Sequence, residues 1–398
     1  MTESPGTTSK PSLQSTSQLQ MIASATLSRM GARLGVIWIG VMGFFAVFAP
    51  WIANSHPFVM KKADGQLSYP LFVYLTAADV TLLIVAVASV VLYFLKRLSL
   101  KRKIGILLLI TLIVGAACAF LVQPPKRVVY DEYRVQLASG EIQWAVHTII
   151  PFSPSDRLRD QPGKRLSAPT AEHWFGTETD GADVLSRMIH ACRIALAVGF
   201  IATGIAVVIG VFVGGMMGFF SGVVDLLGMR IVEIFSAIPV FFLLLTFVAF
   251  FDRNLYIMMV IIGITGWVGY ARFIRAEFLK LRQQDFVQAA IACGLPIRSI
   301  LFKHMLPNGV APVLVEASFG VASAILYEST LSFLGLGLVD EPSWGQMLSQ
   351  ATGAGGGFIW WIAWPPIMAI FLTVFAYNLV GESLRDAIDP QLKKAAQL

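Results

Sequence analysis

Glu316 and Glu328 lie within or at the ends of one apolar run, and their chemistry is the hardest in the chain to assign to packing. A charged side chain at the centre of a bilayer costs about 2.5–3.5 kcal/mol on insertion scales. Such groups usually face a polar path or a partner, so the chemistry on offer is gating or contact along a pathway. Glu328 stands close enough to the end of the run to be interfacial instead. Glu233, at the start of another run, has Arg230 three residues before it as a partner. No paired carboxylates are spaced for acid–base work. The histidines, His173 and His190 included, have no metal-spaced neighbours, and Cys118, Cys192 and Cys293 form no CxxC pattern. The motifs G-x-x-x-x-G-K-[ST], HExxH and GxSxG are absent. The chain therefore has no phosphate loop of an ATPase and no pattern for covalent catalysis. If transport through it is active, the energy has to come from outside the chain.

A second set of spacings points to docking. Residues 277–308 read EFLKLRQQDFVQAAIACGLPIRSILFKHMLPN, a basic amphipathic stretch between two strongly apolar ones. Asp285 and Gln288 fit a capping box at a helix start. Phe286 to Cys293 then makes about two turns, and Ala289 and Ala290 keep that helix slim enough for another protein to approach. Gly294 fits the C′ position, where a left-handed backbone is common. Pro296 fits the first position of a second helix. Ile297, Ile300, Leu301 and Met305 recur on one face of it, and Pro307 is expected to end the unit. Periodicity alone fits an interfacial amphipathic helix equally well.

Composition identifies the frame that must position these residues. Of 398 residues, 56% are hydrophobic and 14% charged, against about 25% charged in a soluble domain. The expected fold class is an all-α polytopic membrane protein with about eight transmembrane helices, because that many runs reach or approach the ~20 residues that cross a bilayer. The runs are 34–52, 80–95, 104–122, 195–220, 231–250, 255–274, 310–327 and 358–380. Lys96, Arg97, Lys101, Arg102 and Lys103 place their loop on the cytoplasmic side, and the basic 275–308 loop follows the same rule. Parity then puts 123–193 outside and both termini inside. The net charge of +6 belongs to these flanking loops and gives no reason to expect nucleic acid.

By this reading, residues 1–32 are a disordered cytoplasmic N-terminus without the apolar core of a signal peptide. Residues 33–53 form the first span, 54–122 an outer loop plus an inserted helix pair, and 123–193 an extracytoplasmic segment. The core is 194–390 with its loop 275–308, and 391–398 is a cytoplasmic tail. Trp360, Trp361 and Trp364 mark the outer interface. Gly210, Gly214 and Gly218 form a GxxxGxxxG ladder, whose small residues let helix backbones approach. The ladder fits packing within the bundle or an interface to another subunit at the pathway.

The 277–308 segment resembles the EAA loop of ABC importer permeases, in which Glu-Ala-Ala is followed by a Gly and then by Leu-Pro. Here the pattern reads Gln288-Ala289-Ala290, Gly294 and Leu306-Pro307-Asn308, with Gln288 in place of the Glu. GTETDGADVLSRMIHACRIAL (176–196), SGVVDLLGMRIVEIFSAIP (221–239), YESTLSFLGLG (327–337), PSWGQML (342–348) and NLVGESLRDAIDP (378–390) resemble segments of the dipeptide, oligopeptide and nickel permeases. IANSHPFVMKKADGQLSYP (52–70) and RAEFLKLRQQDF (275–286) are similar to the microcin C and peptide branch.

The resemblance implies a six-helix permease core with the pair at 80–122 inserted into its first outer loop. It implies a binding-protein-dependent importer in a bacterial inner membrane, with peptides as the first substrate class. The implied partners are a second homologous permease, two P-loop ATPase subunits and an extracytoplasmic substrate-binding protein. ATP and Mg would be used by those ATPase subunits, with no cofactor bound by this chain. Gln288, Ala289, Ala290, Gly294, Leu306 and Pro307 would form the coupling helix and its flank, set into an ATPase cleft. The alternative from another class is an autonomous ion-driven secondary transporter, which predicts paired intramembrane ionisable groups and an inverted repeat.

Overall fold

The computed structural model describes residues 18–95, 98–125, 127–251, 253–337, 341–353 and 357–388. The expected tail 391–398, and residues 1–17 of the expected disordered segment, lie outside the described residues. From Gln18 the disorder expected of 1–32 is replaced by helix, α1 (Gln18–Leu27) and then α2 (Met30–Ile52). Composition underestimates this segment because α1 has a surface to rest on. It lies along the last helix of the chain, and just beyond it Arg29 pairs with Asp386.

After α2 come a hairpin, β1 (Val59–Lys62) and β2 (Leu67–Ser68), and a single turn, α3 (Pro70–Val73). The inserted pair follows as α4 (Ala77–Phe94) and α5 (Leu100–Leu121). Thr76 and Asp79 cap α4 reciprocally. The other Asp79 oxygen accepts from Arg193 Nη1 at 2.6 Å, while Arg193 Nε donates to the Ala46 carbonyl at 3.0 Å. This one cation fastens the insertion to α2 and to the core.

The 123–193 segment folds back onto the loop that follows α2. It contains α6 (Glu132–Ala138), β3 (Ile142–Val146) and a 3-10 turn at Pro162–Lys164. Strand β3 pairs antiparallel with β1, Met60 opposite Ala145, giving a three-stranded sheet in the order β2-β1-β3. Among the described residues the otherwise helical chain thus carries one small sheet, over a core of Met60, Tyr133 and Ile142. Arg134 forks between Asp156 (2.6 Å) and Asp160 (2.8 Å), and Ser55 donates to the same Asp156 at 2.7 Å. These bonds tie the two segments into one unit.

Helix α7 (Val184–Phe220) is the central element and begins well before the apolar run at 195. At ~1.5 Å per residue it is about 55 Å long, against ~30 Å of hydrocarbon, so its first turns stand outside the bilayer. There Asp183 caps it, accepting from the Ser186 N–H at 3.0 Å, and Arg187 pairs with the buried Glu178 at 3.0 Å.

The runs at 231–250 and 255–274 are not straight spans. Helices α8 (Gly222–Ala237) and α9 (Val240–Phe250) meet at 81°, and α10 (Leu255–Thr265) and α11 (Trp267–Arg282) meet at 41°. Pro239 cannot donate a helical hydrogen bond and crowds the preceding turn, which accounts for the sharper break. Gly266 stands at the other. The chain continues through α12 (Asp285–Ala292), α13 (Ile297–Ser299), a π-turn at Ile300–Met305 and α14 (Leu306–Gly309). It ends in α15 (Ala311–Phe333), α16 (Trp344–Gly353) and α17 (Trp360–Ile388). Among the described residues six single helices have spanning length and composition, and the number reaches eight when each bent pair is taken as one span.

Candidate coupling surface and pathway cavity

Helix α11 ends at Arg282, and the chain turns through Gln283 and Gln284 into α12. The cap residue is Gln284, with no side-chain hydrogen bond, so the expected Asp285–Gln288 capping box is absent. The tight turn brings the Gln284 carbonyl into the helix one residue early, and it accepts from the N–H groups of Val287 and Gln288 at 3.0 Å each. Gln288 Nε2 instead reaches back to the Arg282 carbonyl at 2.8 Å. A carboxylate at this position could not donate that bond. Gln288 therefore stitches α12 to the end of α11.

Gly294 has φ +69°. Its N–H donates to Ile291 O at 2.9 Å, and the Leu295 N–H donates to Ala290 O at 3.1 Å. These are the two bonds of a Schellman cap. A Cβ on Gly294 would meet nothing within 4 Å, so backbone handedness, not crowding, calls for glycine.

Val287 and Ala290 are buried with Ile300 and Met305 against Phe278 and Leu281 of α11. The opposite face of the unit exposes Phe286, Ala289, Ile291 and Leu295. The two alanines thus differ in role: Ala290 seats α12 on α11, and Ala289 keeps the free face low. Ile297, expected on the buried side with Ile300, Leu301 and Met305, is exposed. The 3.6-residue period fails because the chain widens into the π-turn immediately after Ser299. Pro307 does not end the unit. It sits in the first turn of α14, where a missing N–H costs little, and helix resumes into α15. Leu306 packs partly against the same cluster, while Pro307 is exposed.

Both helix breaks face one cavity of about 320 Å³. Its walls are α7 at Ala202 and Thr203, the first break at Ser236 and Ile238, the second at Gly266 and Tyr270, and α15 at Glu316, Gly320, Ser323 and Tyr327. Glu316 is partly buried, and a Cβ added at Gly269 would lie 3.6 Å from its Oε1. Thr203, Ser236 and Tyr270 did not stand out in the sequence. Pro239, a proline inside an apolar run, was the signal that a break would gather residues there.

Glu328 belongs elsewhere. It is buried, lies off the cavity, and accepts from Ser332 Oγ and Ser343 Oγ at 2.7 Å and from Ser329 Oγ at 3.3 Å. Ser343 Oγ in turn accepts from the Gly345 N–H at 3.2 Å. The carboxylate knots α15 to the start of α16. A Glu328→Ala variant would leave three hydroxyls short of an acceptor, at about 1–3 kcal/mol for each group left unsatisfied. Thermal unfolding in detergent should show a clear loss for Glu328→Ala and a smaller one for Glu328→Gln, which still accepts. Equal stability of Glu328→Ala and the parent would remove the knot from the account.

The glycine ladder lies against α11 of the same chain. A Cβ would come 2.9 Å from Trp267 O at Gly210, 2.9 Å from Ala271 Cα at Gly214 and 2.7 Å from Arg275 O at Gly218. Of the remaining residues singled out, Glu233 pairs with Arg230 at 2.5 Å on an exposed face. His173 is buried beside Asp183 at 3.1 Å. Trp361 donates to Thr177 O at 3.3 Å, while Trp360 and Trp364 are exposed. No group of His, Cys, Asp and Glu among the described residues could hold a metal ion.

Residues 206–394 match the family described as binding-protein-dependent transport system inner membrane component. The oligopeptide transport system permease protein OppC of Haemophilus influenzae is 42% identical over 249 residues, covering 61% of this chain and 79% of that protein. The dipeptide transport system permease protein DppC of Alkalihalophilus pseudofirmus is 37% identical over 243 residues, 61% of this chain and 80% of that protein. The inner membrane ABC transporter permease protein YejE of Escherichia coli K12 is 34% identical over 225 residues, 56% of this chain and 65% of that protein.

Proposed function

This chain belongs to the binding-protein-dependent inner-membrane permeases of ABC importers, and we propose that it imports peptides by alternating access, driven through α12 by ATPase subunits separate from it. Membership of that family sets aside the ion-driven secondary transporter. The peptide substrate class is inferred from the names of the relatives.

The observation that carries the reading is the two-sided α12 unit. One face is locked to α11 by Val287 and Ala290, and the other presents Phe286, Ala289 and Leu295 uncovered. An ATPase cleft closing on the free face would move α11 with it. The far end of α11 carries Tyr270 and the Gly266 break, a wall of the cavity. Arg275 Nη2 holds Asp225 of α8 at 2.7 Å, and Arg282 holds Ser221 at 2.6 Å, so the same displacement reaches the first break.

In this scheme the α12 end and both termini face the cytoplasm of a bacterium, and the small sheet lies outside. Gln288, Ala289, Ala290, Gly294, Leu306 and Pro307 make up the coupling region. A second homologous permease completes the pathway, two P-loop ATPase subunits use ATP and Mg, and an extracytoplasmic binding protein delivers the substrate. This chain binds no cofactor and catalyses no reaction of its own.

Affinity purification of the chain from its native membrane in mild detergent, with mass spectrometry of what it retains, tests the assembly. A homologous permease and P-loop ATPases are expected. Recovery of the chain alone, folded and monodisperse, would count against the scheme.

A further inference from the structure

The cavity at the two helix breaks contains polar groups that the chain leaves unsatisfied. Glu316 has no hydrogen bond and no ion pair among the described residues. The Thr203 hydroxyl, on the facing helix, is buried and also without a partner. Three of the neighbouring hydroxyls are already engaged, while those of Tyr270 and Tyr327, which also line the cavity, have no hydrogen bond among the described residues. Ser323 donates to Phe319 O at 3.0 Å, Thr265 to Ile261 O at 3.0 Å and Ser236 to Val232 O at 2.7 Å. Among the described residues no Lys, Arg or His lines the cavity, and the Arg272 guanidinium is held on Ser236 Oγ at 2.5 Å. An unpaired carboxylate inside a membrane span is costly and marks a site where something polar enters. Helix breaks converging on a cavity are where transporters place such sites.

These unsatisfied groups narrow the chemistry. One carboxylate and neutral hydroxyls supply a single negative charge, half of what Ca²⁺ or Mg²⁺ carries. They suit a protonated amine, which neutralises Glu316 through a charge-assisted hydrogen bond, with a neighbouring carbonyl to accept from Thr203. We infer that this cavity receives a substrate ammonium group at Glu316, from a free peptide N-terminus or from a basic side chain. The inference rests on the peptide-import reading and makes Glu316 a specificity-determining residue.

The test is uptake by the complete importer, with its binding protein, in proteoliposomes. Parent and Glu316→Gln complexes are compared on trialanine, N-acetyl-trialanine and N-acetyl-Ala-Lys-Ala. The variant keeps the size of the side chain and loses its charge. A KM raised about tenfold or more for trialanine, with N-acetyl-trialanine, which has no ammonium group, unaffected, supports the inference and identifies the N-terminus. The same loss confined to the lysine peptide supports it and identifies the side chain. In either case Glu316→Asp should recover part of the loss. Unchanged constants for all three peptides overturn the inference and leave the importer intact. Equal loss for all three also overturns it, because the residue would then be structural. A parent complex that moves none of the peptides overturns the peptide reading and the inference together.

Discussion

Replacing Gly294 by leucine is expected to lower substrate uptake by about tenfold or more, equivalent to at least ~1.4 kcal/mol of lost coupling, while leaving membrane insertion intact. Two effects add. The φ of +69° at this position costs a residue with a Cβ roughly 1–2 kcal/mol. Relieving that cost opens the bonds from Gly294 N–H to Ile291 and from Leu295 N–H to Ala290. The α12 unit then loses the turn that holds its exposed face in register with its buried one. A leucine side chain also projects into open space on the docking side, since nothing lies within 4 Å of where its Cβ would be. Gly294→Asn separates the two effects, because asparagine tolerates the left-handed region better than leucine. It should retain more uptake than Gly294→Leu. The measurement is uptake and ATP hydrolysis by the reconstituted complex, side by side. The expected signature is hydrolysis that no longer tracks transport. Normal uptake by Gly294→Leu would remove α12 from the coupling scheme.

The parts of this molecule that were legible in the sequence are those fixed by local physics. Runs of apolar residues have no alternative to helix in a bilayer, and all eight segments appear in order. Gly294 was legible because a left-handed C′ residue is a backbone requirement that one residue type meets best. The capping box was misread by one position, since Asp285 and Gln288 have the right spacing but the turn before them supplies its own carbonyl. What stayed hidden depends on contacts between distant segments. The strand at Ile142–Val146 exists because Val59–Lys62 pairs with it across some eighty residues of chain, inserted helices included. Glu316 and Glu328 look alike in sequence, yet three serines donate to Glu328 and none to Glu316, and two of those serines come from the same helix as Glu328 while the third is fifteen residues on. The cavity required two breaks in different helices to face the same way, and no local pattern encodes that.

The glycine ladder gives the second large effect. Gly214→Leu should abolish most folded, monodisperse protein in detergent, whereas Gly204→Leu on the same helix should be tolerated. The contrast is geometric. A Cβ at Gly214 would lie 2.9 Å from Ala271 Cα, a backbone atom that cannot rotate away, while a Cβ at Gly204 meets nothing within 4 Å. Overpacking a site with room to adjust costs about 1–3 kcal/mol, and here the only adjustment is to push α11 off α7. That movement reaches everything α11 supports, since α12 is seated on Phe278 and Leu281 and the cavity wall includes Tyr270. Size-exclusion profiles and thermal unfolding of both variants decide the matter. If Gly214→Leu alone folds as well as Gly204→Leu but no longer retains a second permease, the ladder is an intersubunit contact, and its fit against α11 is incidental. If both variants match the parent in every measurement, backbone approach between α7 and α11 is not what holds this bundle together.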